Sequence, residues 1–118
     1  MYFQESMLFL QSEDVQAMLD LDDEAIASLS ESKVLLSLTL ADGEMTFPDF
    51  QFRQGTYHPQ LIVSFQKFDA TTTGWEVAVW FHRWNENLRD FPVRLIEKPG
   101  GLEKIRLAIE VEQAIATL

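Results

Sequence analysis

The sequence predicts a mainly α protein with a small β-hairpin, in which a winged helix-turn-helix-like N-terminal part packs on a C-terminal helical domain. Three observations predict it. Apolar residues recur at helical spacing through most of the chain, one stretch around residue 40 alternates with period two beside an Asp-Gly turn, and no flexible or low-complexity linker separates the halves. A chain of 118 residues suits one folding unit. Within it the expected division is a helix-turn-helix with hairpin over 12–52 and a helical domain over 53–118.

Taken in order, Ser12 is expected to cap a first helix whose opening turn carries Glu13 and Asp14, acids that suit the positive end of the helix dipole. Val15, Met18 and Leu19 form its buried stripe. After Asp20-Leu21-Asp22, Asp22 caps a second helix from Asp23 to about Glu31, with Ala25, Ile26 and Leu29 inward. Helices joined this tightly read as helix-turn-helix, which places Asp23, Glu24 and Ser28 on the recognition helix. From Val34 to Leu40 the period becomes two, with Val34, Leu36, Leu38 and Leu40 on one face of a strand. Asp42-Gly43 turns the chain, Met45 to Phe47 returns, and Pro48 is expected to end the pairing.

Gly55 marks a loop, and Pro59 opens a third helix to about Asp69 with Leu61, Ile62, Phe65 and Phe68 inward. Thr73 and Glu76 have capping-box spacing for a fourth helix from Gly74 to about Trp84. Its residues Trp75, Val77, Ala78, Val79, Trp80 and Phe81 leave almost no polar face, so a central, multiply packed helix is expected. Pro92 opens a short helical turn with Val93, Leu95 and Ile96, and Pro99-Gly100-Gly101 stops it. A last helix from Leu102 to about Thr117 buries Leu102, Ile105, Ala108, Ile109 and Ile115 and exposes Glu103, Lys104, Arg106 and Glu110.

Charge divides the chain. Residues 1 to 50 hold eleven acids against the single base Lys33, whereas residues 51 to 118 hold eight of each, so the formal net charge of −10 falls on the first half. Phosphate contacts need Lys and Arg, which disfavours DNA binding by that half as a lone monomer. A solvated acidic face serves solubility, or meets a basic partner. With no cysteine, there are no disulfides, thiolate metal sites or cysteine nucleophile. No stretch approaches the roughly 18 apolar residues of a membrane span, and no export signal opens the chain, so a cytoplasmic location is the default expectation. The opening residues Met1 to Ser6 fit either a native start or an expression remnant ahead of Met7.

Residues able to carry chemistry are few, and the expectation is no catalytic, cofactor-binding or metal-binding site. His58 and His82 have no second histidine or carboxylate at metal-binding spacing and read as structural or solvated. Pro99-Gly100-Gly101 lacks the lysine and strand of a phosphate loop. Asp22/Asp23 and Glu110/Glu112 read as helix-start and helix-surface acids rather than an acid–base pair. Trp75, Trp80 and Trp84 read as core rather than the wall of a ligand pocket.

One ordered series exceeds these generic patterns. A hairpin is followed by Phe47-Pro48-Asp49-Phe50-Gln51-Phe52, a Pro-started helix, Trp75 and Trp80 in an apolar helix, then Asn85, Asn87 and Leu88, Pro92 with Leu95-Ile96, and a glycine break before the closing helix. The series resembles the Xre/MbcA/ParS-type antitoxins, small bacterial proteins with an N-terminal helix-turn-helix and a C-terminal toxin-binding domain. The resemblance covers the chain from Ser12 and is most specific from Phe47 to Gly101. It implies neutralisation of a cognate RES-domain toxin, which in similar systems consumes NAD, by direct binding. It also implies a homodimer that represses its own operon. Phe47, Pro48, Phe50, Phe52, Trp75, Trp80, Pro92 and Leu95 would then be the structural core of the motif, and Arg83, Asn85, Asn87, Leu88, Arg89, Arg94 and Arg106 the partner-binding set. The chain departs from the pattern in α-helical DNA reading, because DDEAIASLSES lacks the Arg, Gln and Lys of a major-groove helix. Arg94 also stands where an acid is common. The competing expectations are a degenerate helix-turn-helix regulator without a toxin partner, and an enzyme or ligand carrier built on the Trp helix.

Overall fold

The structure, a computed structural model, describes residues 7–116. The opening hexapeptide and the expected helix end at Thr117 lie outside the described residues. The elements run β1 (Phe9–Gln11), α1 (Ser12–Leu19), α2 (Asp23–Glu31), β2 (Leu38–Thr39), β3 (Met45–Pro48), β4 (Phe52–Arg53), β5 (Thr56–Tyr57), α3 (Pro59–Gln66), α4 (Gly74–His82), α5 (Pro92–Leu95) and α6 (Gly101–Ala116). The result is a mixed α/β fold in which helices dominate and two small antiparallel sheets brace the first half.

The helix pair forms as its caps dictate. Asp22 accepts a hydrogen bond from the Ala25 N–H at 2.9 Å, while Asp20 in the left-handed region (φ 56°) turns the chain out of α1. The first cap differs from expectation. Gln11 occupies the cap position, its N–H donating to Asp14 Oδ2 at 3.0 Å, and Ser12 is the first helical residue. The reason is β1, which the sequence pattern did not reveal: it delivers the chain to α1 already extended.

In the larger sheet β3 is central, flanked by β1 and β2. Phe9 lies opposite Pro48, Leu10 opposite Phe47, and Leu38 opposite Thr46. Pro48 is therefore itself paired, as the last residue of β3, and it is fully buried. Residues 34–37 are not strand, so the expected alternation from Val34 to Leu40 fails: Leu35 and Leu36 are both buried and Leu40 is 41% exposed. Adjacent leucines can both be buried because they enter different cores. Leu35 packs with Val15, Ile26 and Phe47, whereas Leu36 joins Leu61, Phe65, Phe81 and Ile105.

Gln51 ties this crossover segment down. It ends a 3-10 turn over Asp49–Gln51 and is 1% exposed, with its Oε1 accepting from the Leu36 N–H at 2.8 Å and its Nε2 donating to the carbonyls of Leu36 at 2.8 Å and Pro48 at 3.0 Å. A side-chain amide thus replaces the missing strand partner, as buried peptide groups require. Beyond it, β4 and β5 form a second hairpin where only a loop at Gly55 was expected, and Gln54 and Gly55 both take positive φ (54° and 80°), as its tight turn needs. Phe52 and Tyr57 lean on the first core, while Leu36 and Leu38 enter the second, so the cores interlock across the boundary expected after residue 52.

The second core is built by α3, α4, α5 and α6. α3 stops at Gln66, short of the expected Asp69, yet Phe68 is still buried. α4 carries the expected capping box, with Glu76 N–H donating to Thr73 Oγ1 at 3.1 Å and Thr73 N–H to Glu76 Oε1 at 2.9 Å. It is not enclosed on all sides: Val77, Ala78, Phe81 and His82 are buried, but Trp75 is 44% exposed. Trp75 is thus a surface residue and not core, lying 6.1 Å from the Phe9 ring. Trp80, Phe50 and Phe52 are half-buried, while Phe47, Pro92 and Leu95 are buried as expected. α6 buries Ile105, Ala108 and Ile109 but leaves Ile115 exposed, because the helix outruns the partners that cover its first turns. Gly101 opens α6 against the Leu95 carbonyl, where any side chain would collide.

Candidate partner-binding surface

Residues 83–91, between α4 and α5, gather most of the expected partner-binding set. Asn85 organises them. Its Oδ1 accepts from the N–H groups of Asn87 at 2.9 Å and Leu88 at 3.0 Å, its own N–H donates to the Asp90 carbonyl at 2.9 Å, and Arg89 N–H closes back on its carbonyl at 2.7 Å. Asn85 is buried and serves the loop internally, so it positions contacts rather than making them. Arg89 takes a left-handed φ of 53° at the exposed tip. Asp90 then fixes the exit, accepting from Phe91 N–H at 2.7 Å and from Lys98 Nζ at 3.3 Å.

Beside the loop, Trp84 meets Phe91 edge-on with centroids 5.6 Å apart, and the Arg94 guanidinium lies 4.7 Å from the Phe91 ring centre. Trp84 is 38% exposed and Arg94 is exposed, so the stack presents an aromatic edge and a cation on pre-set supports. Arg83 is exposed at the end of α4, in a shallow groove of about 420 Å³ with Trp75, Val79 and Trp80. Asn87 and Leu88 border a different groove of about 390 Å³, with Lys104, Leu107 and Val111 of α6. Arg106 does not join them. It lies in a groove with Gln60, Val63 and Ser64, held by Glu103 at 2.6 Å and Glu110 at 2.7 Å. The Glu103 hydrogen bond first, and then the charges of Glu103 and Glu110, raise its pKa further.

Two residues hold this surface: Glu112, which the sequence reads only as a helix-surface acid, and Phe91, which it passes over. Glu112 accepts from Trp80 Nε1 at 3.2 Å and from Asn85 Nδ2 at 3.0 Å, so one carboxylate of α6 fixes both α4 and the loop. The available signal was an acid three positions beyond Ile109, at the edge of the buried stripe. Phe91 is the middle of the stack, and its place before Pro92 gave no hint of that.

His82 is buried with Nδ1 donating to the Ala78 carbonyl at 2.7 Å, a structural role. His58 caps α3 beside the second hairpin, its Nδ1 buried without a hydrogen-bond partner. Among the described residues no three His, Cys, Asp or Glu side chains group as metal ligands, and no helix is long and apolar enough to cross a membrane. A cleft of about 220 Å³ lies where the halves meet, lined by Lys33, Leu36, Phe68 and Thr72. On α2, Asp23, Glu24 and Ser28 are all exposed, and Asp23 accepts from Gln16 at 2.6 Å, so its outward face is acidic.

Comparison of the chain with protein-family models, with curated proteins and with solved structures finds no significant match.

Proposed function

We propose that this chain is an antitoxin-like protein that neutralises a RES-type toxin by occluding it in a stoichiometric complex, without catalysis. In this reading α1, α2 and the β2–β3 hairpin correspond to a winged helix-turn-helix, and residues 53–118 to the toxin-binding part. The observation that supports it most is the Asn85-organised loop, which holds Asn87 and Arg89 outward next to the Trp84–Phe91–Arg94 stack. Trp and Arg on a rigid support are the residues that dominate binding energy at protein interfaces, because little side-chain entropy remains to be lost. A regulator acting on DNA alone fits less well, since the first turn of α2 carries Asp23 and Glu24 and its last turn no base.

Co-expression with a RES-domain toxin tests the proposal. A stable complex that suppresses NAD consumption is expected, and Trp84→Ala or Arg94→Ala is expected to weaken it about 10–100-fold while the circular dichroism spectrum stays unchanged. Failure to form a complex, or full affinity in both variants, rejects it.

A further inference from the structure

Two unusual residue choices meet at the cleft of about 220 Å³ where the halves join, which is more closed than the grooves along α4 and α6. The first is Lys33. It is the single base among the first fifty residues, and just past α2 it takes a left-handed φ of 62°, a conformation that favours glycine. The second is Ser30, in the last turn of α2. Its Oγ is buried without a hydrogen-bond partner among the described residues, although buried hydroxyls are ordinarily paired. Both residues line the cleft.

The rest of the lining is mostly apolar. Phe65, Phe68 and Val77 of the second half and Leu36 of the crossover segment are all buried there. Gly74 brings the start of α4 so close to the Ser37 carbonyl that a Cβ would collide, and this contact fixes the spacing of the two walls. Lys33 makes no ion pair among the described residues. Asp69 feels its charge, but the Asp69 carboxylate is already committed to Thr71, accepting from its N–H at 2.8 Å and from its hydroxyl at 2.7 Å. Those two bonds, ahead of Lys33, hold the Asp69 pKa below its ordinary value. An available cation and an unsatisfied hydroxyl thus share one enclosed space with an apolar wall, the division expected of a site for a small amphipathic anion.

We propose that the cleft binds a small monocarboxylate with an apolar body. Lys33 pairs with the carboxylate, Ser30 Oγ donates a hydrogen bond to it, and Leu36, Phe65, Phe68 and Val77 enclose the body. Size limits the ligand. An apolar cavity of about 150 Å³ holds a benzene ring, so this cleft takes one ring or a short chain with its carboxylate, and neither a nucleotide nor a peptide. Because Ser30 and Lys33 belong to the first half and Phe65, Phe68 and Val77 to the second, the ligand bridges the halves and its binding stabilises their junction.

Phenylacetate, its neutral isostere phenylacetamide and the cationic phenethylamine are the probes, followed by amide NMR shifts of the full chain. Phenylacetate is expected to give saturable shifts at Ser30, Lys33 and Thr72, to bind about tenfold tighter than phenylacetamide and to raise the melting temperature, while phenethylamine does not bind. Lys33→Gly separates charge from fold. Glycine takes the left-handed backbone without strain, so this variant is expected to keep the melting temperature of the free protein and to lose the preference for phenylacetate over the amide. Ser30→Ala removes an unpaired hydroxyl, so it is expected to cost the free protein no stability while weakening phenylacetate about threefold. No saturable shift with phenylacetate, equal affinity for the three probes, an anion preference retained in Lys33→Gly, or full affinity in Ser30→Ala overturns the proposal. So do shifts confined to surface arginines, the mark of non-specific anion binding.

Discussion

At the scale of single residues, Gln51 bears most on the fold. Its amide supplies both a donor and an acceptor to Leu36, so the crossover segment keeps its peptide groups satisfied where β2 has not yet begun. Gln51→Leu fills similar space but leaves the Leu36 N–H and carbonyl buried and unpaired, each costing about 1–3 kcal/mol. A loss of about 2–4 kcal/mol in urea unfolding is expected, and Gln51→Glu is expected to be no better, because a carboxylate cannot donate to the Leu36 and Pro48 carbonyls. A loss under 1 kcal/mol for Gln51→Leu contradicts the assignment. The aromatic hexapeptide was legible as a junction from sequence, but its critical member was not. Gln51 finds its partner fifteen residues earlier, and nothing in local spacing encodes that distance. Asn85 illustrates the converse. Its importance was visible, yet its role was misread, since a residue that organises a loop and one that touches a partner look alike in one dimension.

Among elements, the helices were legible, and of the strands only the β2–β3 hairpin at Asp42-Gly43 was. α2 and α4 announce themselves through caps, Asp22 to Ala25 and Thr73 with Glu76, because a cap is a local contact set by spacing of three. β1, β4 and β5 are two or three residues long, too short for alternation to register. The cap of α4 gives a signed pH effect. The Thr73 N–H, and then its hydroxyl, hold the Glu76 carboxyl below its ordinary value. The stabilisation is therefore complete above the unfolded glutamate value of about 4.3 and disappears as the pH falls through the lowered folded value. Wild type is expected to be more stable than Glu76→Gln near neutrality, with the difference shrinking as the pH falls through the lowered folded value. Equal acid limbs for the two proteins contradict this. Gly74 at the start of the same helix has the opposite sign to helix propensity. Alanine favours a helix by about 1 kcal/mol over glycine, yet a Cβ at Gly74 would collide with the Ser37 carbonyl. Gly74→Ala is expected to lower the melting temperature, and a rise overturns the close approach.

For the whole molecule, two short segments feed both cores, Leu35 with Leu36 and Phe47 to Phe52, and the clamp at Gln51 joins them. Separating the halves means breaking both, so they are expected to unfold together. Tryptophan emission, which arises only from residues 75, 80 and 84, and far-ultraviolet circular dichroism should then give one coincident urea transition. Two midpoints would show that residues 12–52 and 53–118 are independent. The charge division acts at this scale too. With the −10 concentrated in the first half and α2 acidic outward, a gel shift at low salt is expected to show no retention of DNA, and salt-sensitive retention would reverse that reading. The charge split was fully legible in composition, whereas the interlocking of the cores was not, because it depends on β1 and on where the chain crosses.

The chain's three tryptophans, two on α4 and one just beyond it, lie against three different seams. Trp75 lies beside Phe9 with its Nε1 a long 3.5 Å from the Thr39 carbonyl, Trp80 donates to Glu112 of α6, and Trp84, two residues past the helix, meets Phe91. The molecule thus contains its own optical strain gauges. Single-tryptophan variants would separately register slippage of the sheet, release of the closing helix and disturbance of the 83–91 loop, with no dye attached.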